Sequence, residues 1–422
     1  MSHAVVQPSS ISGNITPPPS KSAAHRALIC ATLAGGGVVH GIHFSEDMNA
    51  TLQAITAMGL THEISSDTIT ITKAERSPHL LVDCGESGST LRFFIPIFAA
   101  LGLSATFIGH GRLPMRTLNV YEDCLPKQGV SLVHTSESWL PLQLNGKLKA
   151  GDFTLRGDVS SQFISGLLFA LPLCDGDSRI ILSGPPESAG YITMTLDALK
   201  AAGITVTAFS DGWEIPGNQH YTVQEVTVER DWSQAAFLLA MGALSGKVTI
   251  EGISVDSHQG DRQIVSLLEQ FGATIRKEDN QFTCVKSSLH GIDIDASQIP
   301  DLVPILAVLA SAADGVTRIY NAARLRMKES DRLAAVSDCL HRLGASVEER
   351  EDSLLIHGGC RLTGGEVLGY NDHRIVMSMA VAALLCDSQV TISDAHSIQK
   401  SWPTFFEDYK KLGGIADVVA DR

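Results

Sequence analysis

The stretch DALKAAGITVT, residues 197–207, predicts a helix that ends at Gly203 and a strand that begins directly after it. Apolar residues at helical spacing precede the glycine, and a β-branched run follows it. A glycine just past a helix suits the left-handed conformation that stops the helix and redirects the chain. The same pattern recurs in AITAMGLTHEI (54–64), DCLPKQGVSLV (123–133), LLEQFGATIRK (267–277), CLHRLGASVEE (339–349) and DYKKLGGIADV (408–418).

The repeat has a long period, because its glycines are separated by 69–74 residues. They are Gly59, Gly129, Gly203, Gly272, Gly344 and Gly413. A second helix, apolar on nearly all sides, precedes each of these stretches, as in SSQFISGLLFALPL (160–173). A β-branched strand such as KVTIEGI (247–253) follows that helix. Such a unit is too long for a common solenoid repeat, so the sequence predicts an α/β protein of six small modules.

Composition narrows the classes of function. The chain has 422 residues, of which 44% are hydrophobic, and this suits two or three domains with large cores. A net charge of -14 argues against broad binding to nucleic acid or acidic membranes, but it is compatible with a small anion held by a few cations. The eight scattered cysteines are typical of reduced core thiols rather than metal ligands. Without an apolar run long enough for a leader or a span, we expect a cytoplasmic protein.

All six apolar helices begin with polar residues. These starts are His25 and Arg26, Ser89 and Arg92, Ser160 to Gln162, Asp231 to Gln234, Asp301, and Asp372 to Arg374. A helix N-terminus favours anions, because its N–H groups are unpaired and its dipole is positive there. Capping accounts for Ser and Asp at such positions, but it does not account for three arginines. The alternative interpretation of GYNDHRIVMSMAVAALL (369–385) makes Asn371 or Asp372 an N-cap and Arg374 a solvated residue of the first turn.

Seven stretches together resemble the 5-enolpyruvylshikimate-3-phosphate synthase family over nearly the whole chain. They are PPPSKSAAHRALICATLAGG (17–36), GESGSTLRFF (85–94), RLPMRTL (112–118), GDVSSQF (157–163), LRMKESDRL (325–333), YNDHR (370–374) and KSWPTFFEDY (400–409). The resemblance implies transfer of the enolpyruvyl group of phosphoenolpyruvate to the 5-hydroxyl of shikimate 3-phosphate, with release of phosphate. This reaction lies on the route to chorismate and the aromatic amino acids. The resemblance also implies that no metal or organic cofactor is used and that glyphosate competes with phosphoenolpyruvate.

The resemblance further implies an inside-out α/β barrel fold of two domains, each made of three βαβαββ units. We place the two crossings between the domains at NITPPPSKS (14–22) and QEVTVERDWS (224–233). The N-terminal domain would then span 21–228 and bind mainly shikimate 3-phosphate. Residues 1–20 and 229–422 would form the C-terminal domain, with the catalytic carboxylates and the phosphoenolpyruvate clamp. We expect a monomer whose domains close on substrate.

Both substrates implied by the resemblance are polyanions, so their sites need several fixed cations, and guanidinium groups suit carboxylate and phosphate best. For shikimate 3-phosphate the matching positions are Lys21, Ser22, Arg26, Ser160, Ser161, Gln162, Ser188, Tyr191, Asp301 and Lys328. For phosphoenolpyruvate they are Lys21, Gly88, Arg116, Gln162, Arg332, Arg374 and Lys400. Gly88 precedes a buried helix, where a missing Cβ lets a ligand approach the backbone. Arg92 matches a family arginine with a supporting role.

The implied chemistry is addition followed by elimination, with Lys21 as a third catalytic group beside two carboxyls. Asp301 matches the acceptor of the 5-hydroxyl proton, and Glu329 matches the donor to the methylene carbon. A carboxyl that donates a proton near neutral pH needs a raised pKa, and the neighbouring Lys328 and Arg332 oppose such a shift.

Two other functions fit parts of the pattern. The sister transferase that acts on UDP-N-acetylglucosamine generally carries a Cys in a mobile loop, whereas GHGRLPMRTLNVYEDC (109–124) places Arg116 in that loop and Cys124 in the helix after it. A cyclase-like protein of related modules would bind RNA ends. The acidic net charge and the scarcity of aromatic platforms argue against that class.

Overall fold

The computed structural model of the chain describes residues 2–74 and 80–420. Its α-helices over these residues are α1 Lys21–Leu33, α2 Glu46–Ala57, α3 Gly88–Ala100, α4 Asn119–Cys124, α5 Ser161–Ala170, α6 Ala189–Ala201, α7 Trp232–Ser245, α8 Ile264–Gln270, α9 Val303–Ala312, α10 Arg332–Arg342, α11 His373–Ala382 and α12 Phe405–Lys411. None of them combines the length and the hydropathy that crossing a membrane requires.

The strands are short and spread along the whole chain. They are β1 Ser2–Gln7, β2 Ser12–Ile15, β3 Gly37–His40, β4 Leu60–Ser65, β5 Thr68–Lys73, β6 Leu80–Asp83, β7 Ala105–Ile108, β8 Val130–Val133, β9 Leu142–Gly146, β10 Asp152–Arg156, β11 Ser178–Ser183, β12 Thr207–Phe209, β13 Gly212–Ile215, β14 Glu225–Thr227, β15 Lys247–Glu251, β16 Thr274–Glu278, β17 Gln281–Val285, β18 Asp293–Asp295, β19 Val316–Tyr320, β20 Ser346–Glu349, β21 Leu354–His357, β22 Gly365–Val367, β23 Val390–Ser393 and β24 Ile415–Ala420.

The strands of the described residues form six four-stranded sheets, all with the same arrangement of one parallel and two antiparallel pairs. In the sheet β6-β7-β9-β8, for example, β6 runs parallel to β7, and β9 pairs antiparallel with both β7 and β8. A parallel pair requires a crossover, and in four sheets a buried helix supplies it, namely α3, α5, α9 or α11. In the pairs β14–β3 and β2–β15 the two strands are instead separated in sequence by most or all of the N-terminal unit. The prediction of an α/β protein with six repeats is therefore confirmed.

The chain divides into two compact units. The N-terminal unit is Pro19–Glu229, and the C-terminal unit combines the residues up to Pro18 with those from Arg230 onward. Each unit holds three sheets and its own apolar core. The N-terminal segment completes two sheets of the C-terminal unit, since β1 lies between β23 and β24, and β2 pairs with β15. In the N-terminal unit, β14 returns to pair with β3.

The repeated glycines adopt the conformation that the sequence predicts. All six have positive φ angles between +77° and +99°, where a residue with a Cβ would be strained. In each module the helix that these glycines terminate follows a more deeply buried one. The buried helices are α1, α3, α5, α7, α9 and α11. Their N-terminal ends carry the polar starts from which the candidate site is built.

Candidate active site

In the N-terminal unit, α1 begins with a capped turn that carries Lys21. Ser20 is the N-cap, and its hydroxyl accepts a hydrogen bond from the Ala23 N–H. The Lys21 ammonium lies 2.5 Å from the Asp47 carboxylate of α2, and its side chain is 19% exposed. The cation is thus anchored by its neighbour and still accessible to an anion.

Arg26 lies one turn further along α1, where it is buried. Its guanidinium donates to the Ser22 carbonyl at 2.6 Å, the Tyr191 carbonyl at 2.8 Å and the Thr195 hydroxyl at 2.9 Å. All three acceptors are neutral, and burial lowers the Arg26 pKa to about 10. The phenyl ring of Phe93 lies 5.4 Å from the guanidinium carbon. The charge is therefore desolvated without a carboxylate among these partners, a state that favours a bound anion.

Arg92 connects α3 to α5 through Gln162. It donates to the Gln162 side-chain oxygen at 2.7 Å, while the Gln162 amide donates to the Ser89 hydroxyl at 2.9 Å. The Arg92 guanidinium also lies 4.9 Å from the centre of the Phe163 ring. These contacts fix the position of Gln162, and the supporting role of Arg92 stays a prediction.

Gly88 is the first residue of α3 rather than the residue before the helix, and Arg116 covers it. A Cβ built on Gly88 would lie 2.8 Å from one terminal nitrogen of Arg116 and 3.0 Å from its guanidinium carbon. The absence of a side chain on Gly88 therefore makes room for the Arg116 guanidinium, and a ligand would contact that guanidinium. Arg116 is itself buried.

Further residues predicted to contact shikimate 3-phosphate lie at two other helix starts of the same unit. Ser160 is the N-cap of α5 and accepts a long hydrogen bond of 3.4 Å from the Gln162 N–H, and Ser161 is buried behind it. Ser188 precedes α6 with φ +54°, a left-handed conformation that costs energy for a residue with a Cβ. Tyr191, one turn later, is joined to the site through its carbonyl, which accepts from Arg26.

In the C-terminal unit, Asp301 lies on the 3-10 turn Pro300–Leu302 directly before α9. One carboxylate oxygen accepts hydrogen bonds from Arg332 at 2.8 Å and from Lys328 at 3.3 Å. The other oxygen lies 3.4 Å from Arg374, which also donates to the Asp301 main-chain carbonyl at 3.1 Å. Burial lowers the pKa of Lys328, although the negative charge of Asp301 acts to raise it. Three cations thus converge on one carboxylate.

Arg332 organises the acidic groups of this unit. Its fully buried guanidinium donates to Asp301, to Glu329 at 2.7 Å and to both carboxylate oxygens of Asp372. These bonds use four of its five N–H groups. Burial disfavours its charge, but Asp372, Glu329 and Asp301 together outweigh burial and raise its pKa. Among the described residues its main partners are therefore carboxylates, although the sequence predicted a contact to phosphoenolpyruvate.

The segment 370–374 combines both interpretations of its sequence. Asp372 is indeed the N-cap of α11, and it accepts the Arg374 N–H at 2.9 Å. Burial opposes its ionised form, yet Arg332 holds the Asp372 pKa below its usual value. The expectation of a solvated Arg374 is wrong, because that side chain is 7% exposed and contacts Asp301. Capping and cation placement therefore occur in one turn.

Lys400 approaches the same turn from another part of the unit. The buried ammonium donates to the Asn371 carbonyl at 2.6 Å. Tyr370 and Asn371 both have left-handed φ angles, +54° and +50°, and this unusual pair directs the carbonyl toward the lysine. The structure therefore joins the predicted cations of the C-terminal unit into one cluster around Asp301 and the start of α11.

Sequence reasoning missed several partners of these cations. Asp47 and Thr195 lie in plain amphipathic helices, where nothing in the spacing marks them. Asp261, in the 3-10 turn Gly260–Gln263, is 2% exposed, and its pKa is raised to about 7 by burial and by Asp301. A lone Asp beside a glycine is typical of an exposed turn, so only the fold reveals its burial. Over 2–74 and 80–420, no cluster of three or more His, Cys, Asp or Glu could hold a metal ion.

The fold is that of the enolpyruvyl transferases. The structure of the enolpyruvyl transferase NikO from Streptomyces tendae matches all of this chain and 99% of its own, with a TM-score of 0.81 at 16% identity. An EPSP synthase from Acinetobacter baumannii matches over the full length of both chains, with a TM-score of 0.84 at 25% identity.

Sequence comparison then gives the family. A family model described as EPSP synthase (3-phosphoshikimate 1-carboxyvinyltransferase) matches residues 5–409, and the chain belongs to this family. A protein of Clostridium kluyveri named 3-phosphoshikimate 1-carboxyvinyltransferase is 45% identical over 422 residues, covering 99% of both chains. One of the same name from Clostridium acetobutylicum is 44% identical over 97% of both. The predicted family is thereby confirmed.

Proposed function

We propose that this chain transfers the enolpyruvyl group of phosphoenolpyruvate to the 5-hydroxyl of shikimate 3-phosphate, giving 5-enolpyruvylshikimate 3-phosphate and phosphate. The observation that carries the proposal is the connected cluster of Asp301, Glu329 and Arg332, with Lys328 and Arg374 on the same carboxylate. Its members stand at the positions that match the family. The activity agrees with the names of the relatives described above.

In this proposal shikimate 3-phosphate is held mainly by the N-terminal unit. Its 3-phosphate would bind the hydroxyls and N–H groups at the start of α5, where Ser160 and Ser161 lie beside Gln162. Lys21 and the buried Arg26 would supply the charge, and each charge-assisted hydrogen bond contributes roughly 1.5–3 kcal/mol. Ser22, Ser188 and Tyr191 belong to this set through their places around Arg26 and the start of α6.

Phosphoenolpyruvate would be held by guanidinium and ammonium groups. Arg116 above Gly88 and Arg374 at the start of α11 are buried cations of the kind that binds a carboxylate or phosphate in two places. Lys400 adds a third charge, and Gln162 a polar contact. Arg332 would reach this substrate with its remaining N–H, while it keeps the nearby carboxylates in place.

The proposed chemistry begins when the 5-hydroxyl oxygen attacks C2 of phosphoenolpyruvate. Asp301 takes the hydroxyl proton, and protonated Glu329 gives a proton to the methylene carbon, which becomes a methyl group. In the second half the bond between C2 and the phosphate oxygen breaks, Glu329 takes a methyl proton back, and the proton on Asp301 leaves with phosphate. Glu329 forms an ion pair with Arg332, and an ionised carboxylate has no proton to donate. Glu329 must therefore become protonated, with loss of this ion pair, before it can act as the acid.

An assay of phosphate release tests the substrate assignment. With phosphoenolpyruvate present, release should require shikimate 3-phosphate and should not occur with UDP-N-acetylglucosamine, the acceptor of the sister transferases. Release with the nucleotide sugar alone would assign the chain to that class, and release with neither acceptor would end the enzyme proposal. The expectation of a cytoplasmic monomer without a cofactor belongs to the same proposal.

A further inference from the structure

Two polar contacts join the start of α1 to α2 in the N-terminal unit. Lys21 and His25 lie one turn apart on α1, and Asp47 and Thr51 lie one turn apart on α2, so each pair shares a face of its helix. Lys21 contacts the Asp47 carboxylate at 2.5 Å, and Nδ1 of His25 lies 2.7 Å from the Thr51 hydroxyl. The first contact holds a cation of the proposed site, whereas the proposed mechanism does not use the second.

The second contact continues into α3 through buried hydroxyl groups. The Thr51 hydroxyl lies 2.8 Å from that of Thr90, and the Thr90 hydroxyl donates to the Ser87 hydroxyl at 2.8 Å. Ser87 is the N-cap of α3 and also accepts the Thr90 N–H at 3.2 Å. We call Thr51, Thr90 and Ser87 the hydroxyl chain. With His25 they are at most 1% exposed, and they connect the imidazole to the residue directly before Gly88.

Each hydroxyl of the chain has a single proton, and this sets the direction of the hydrogen bonds. Thr90 gives its proton to Ser87, so it must accept one from Thr51. Thr51 then has no proton left for His25. Nδ1 of His25 must therefore carry a proton and donate it to the Thr51 hydroxyl.

The other ring nitrogen of His25 shows that the imidazole is neutral. Nε2 is buried and has no hydrogen-bond partner within residues 2–74 and 80–420. A proton on Nε2 would create a buried positive charge beside Lys21 and Arg26. Burial, followed by the charges of these two residues, holds the His25 pKa well below its usual value. The ring is thus a neutral donor that uses Nδ1 alone.

The hydroxyl chain is separate from the contacts described for the cations of α1. Arg26 donates to acceptors on α1 and α6, and Lys21 donates to Asp47. None of these acceptors belongs to the chain. A break in the chain should therefore loosen the start of α3, where Gly88 lies, and leave the cations of α1 in place.

We propose that His25 is a positioning residue, which donates from Nδ1 into the hydroxyl chain and thereby holds the start of α3 in the geometry that phosphoenolpyruvate requires. The inference rests on the proposed function, in which Gly88 and the Arg116 above it belong to the phosphoenolpyruvate site. Affinity for phosphoenolpyruvate should depend on the Nδ1 donor. Affinity for shikimate 3-phosphate should not depend on it, because the cations proposed for that substrate are held by other contacts.

Two substitutions of His25 separate its donor from its bulk. His25→Leu cannot donate, and because His25 acts on the substrate only through the position of α3, we expect the KM for phosphoenolpyruvate to rise roughly three- to tenfold. The dissociation constant of shikimate 3-phosphate, measured by calorimetry, should change by less than about twofold. His25→Asn has an amide that can replace Nδ1–H, so it should restore the wild-type KM. Equal losses of both affinities, or one KM for the Leu and Asn variants, would overturn the proposal.

Thr51→Val interrupts the hydroxyl chain at its first member with little change of shape. It should raise the KM for phosphoenolpyruvate as His25→Leu does, and the double variant should be no worse than either single variant, since both substitutions break one chain. Thr56→Val on the same helix is the matched control, because the Thr56 hydroxyl donates to the Leu52 carbonyl within α2. Additive effects of the two substitutions, or an equal rise in the control, would contradict the proposal.

NMR of nitrogen-15 in the histidine rings reads the hydrogen bond without catalysis. The His25 signals, identified by their loss in His25→Asn, should show a protonated Nδ1 and an unprotonated Nε2. Because the His25 pKa is lowered, they should stay unchanged from about pH 6 to about pH 8. A wild type with the proton on Nε2 would refute the proposed chain. A wild type that releases no phosphate with shikimate 3-phosphate would instead refute the proposed function.

Discussion

Buried arginines have different hydrogen-bond partners in the two units of the molecule. In the N-terminal unit Arg26 donates three hydrogen bonds to neutral oxygens, and burial lowers its pKa to about 10. In the C-terminal unit Arg332 bonds three carboxylates, which raise its pKa. The first arrangement leaves positive charge for an incoming anion, because its three hydrogen-bond acceptors in the described part of the chain are neutral. The second holds several acids at fixed positions and favours their ionised forms.

The largest effect should come from Asp301, the carboxylate of the C-terminal unit that contacts three cations. Asp301→Asn should lower turnover by roughly 10²- to 10⁴-fold, the usual loss when a general acid or base is removed, and should change either KM by less than about tenfold. Steady-state kinetics against Asp293→Asn, an exposed residue of β18, separates this effect from a general disturbance. Turnover close to that of the wild type would remove Asp301 from the role of base.

A smaller effect is expected for Arg374, a cation of the same cluster that the proposal assigns to phosphoenolpyruvate alone. Arg374→Ala should raise the KM for phosphoenolpyruvate by roughly 10- to 150-fold, which corresponds to one charge-assisted interaction of about 1.5–3 kcal/mol. Binding of shikimate 3-phosphate, measured by calorimetry, should stay near the wild-type value. Equal losses for both substrates would mean that Arg374 mainly supports Asp301, to which it donates.

In the N-terminal unit Gly88 tests whether a cation depends on the space around it, because the absence of a Cβ makes room for Arg116. In Gly88→Ala the new Cβ would lie 2.8 Å from a terminal nitrogen of Arg116, so the flexible end of the arginine side chain has to shift. We expect the inhibition constant of glyphosate to rise roughly tenfold, about one charge-assisted hydrogen bond, and the KM for phosphoenolpyruvate to rise less, since the inhibitor is longer. Proportional changes in the two constants, or a wild type indifferent to glyphosate, would contradict this steric argument.

The smallest effect should come from a neutral partner of Arg26. Thr195→Val removes the hydroxyl that accepts the Arg26 Nε–H and shares a hydrogen bond with Ser165. Because Thr195 acts on the substrate only through the position of Arg26, we expect the KM for shikimate 3-phosphate to rise roughly fivefold, which corresponds to about 1 kcal/mol. Thr193→Val on the same helix, whose hydroxyl donates to the Ala189 carbonyl and not to Arg26, is the control. If both variants behave alike, Arg26 does not depend on its neutral acceptors.

The fold could be predicted further than the site. A glycine such as Gly203 is placed by a rule of local geometry, so its φ of +77° could be predicted from eleven residues of sequence. The polar helix starts also predicted where Arg26 and Arg374 lie. The partners of those cations could not be predicted, because Thr195 and Asp261 are distant in sequence and carry no motif. The pairing of Arg332 with Glu329 follows an i,i+3 spacing that the sequence shows, whereas its contacts to Asp301 and Asp372 join residues 31 and 40 positions apart and depend on tertiary packing.

The position of β1 sets an order of events during synthesis. The N-terminal unit has all its strands once residue 229 has been made, and it can form its three sheets at that point. The strand β1 lies between β23 and β24, the latter ending at residue 420. At about 5–20 residues per second, the ribosome needs roughly 20–80 s to pass from the end of β1 at Gln7 to the end of β24 at Ala420. Until β23 and β24 have been made, β1 carries two unpaired strand edges, so it needs protection from pairing with other chains.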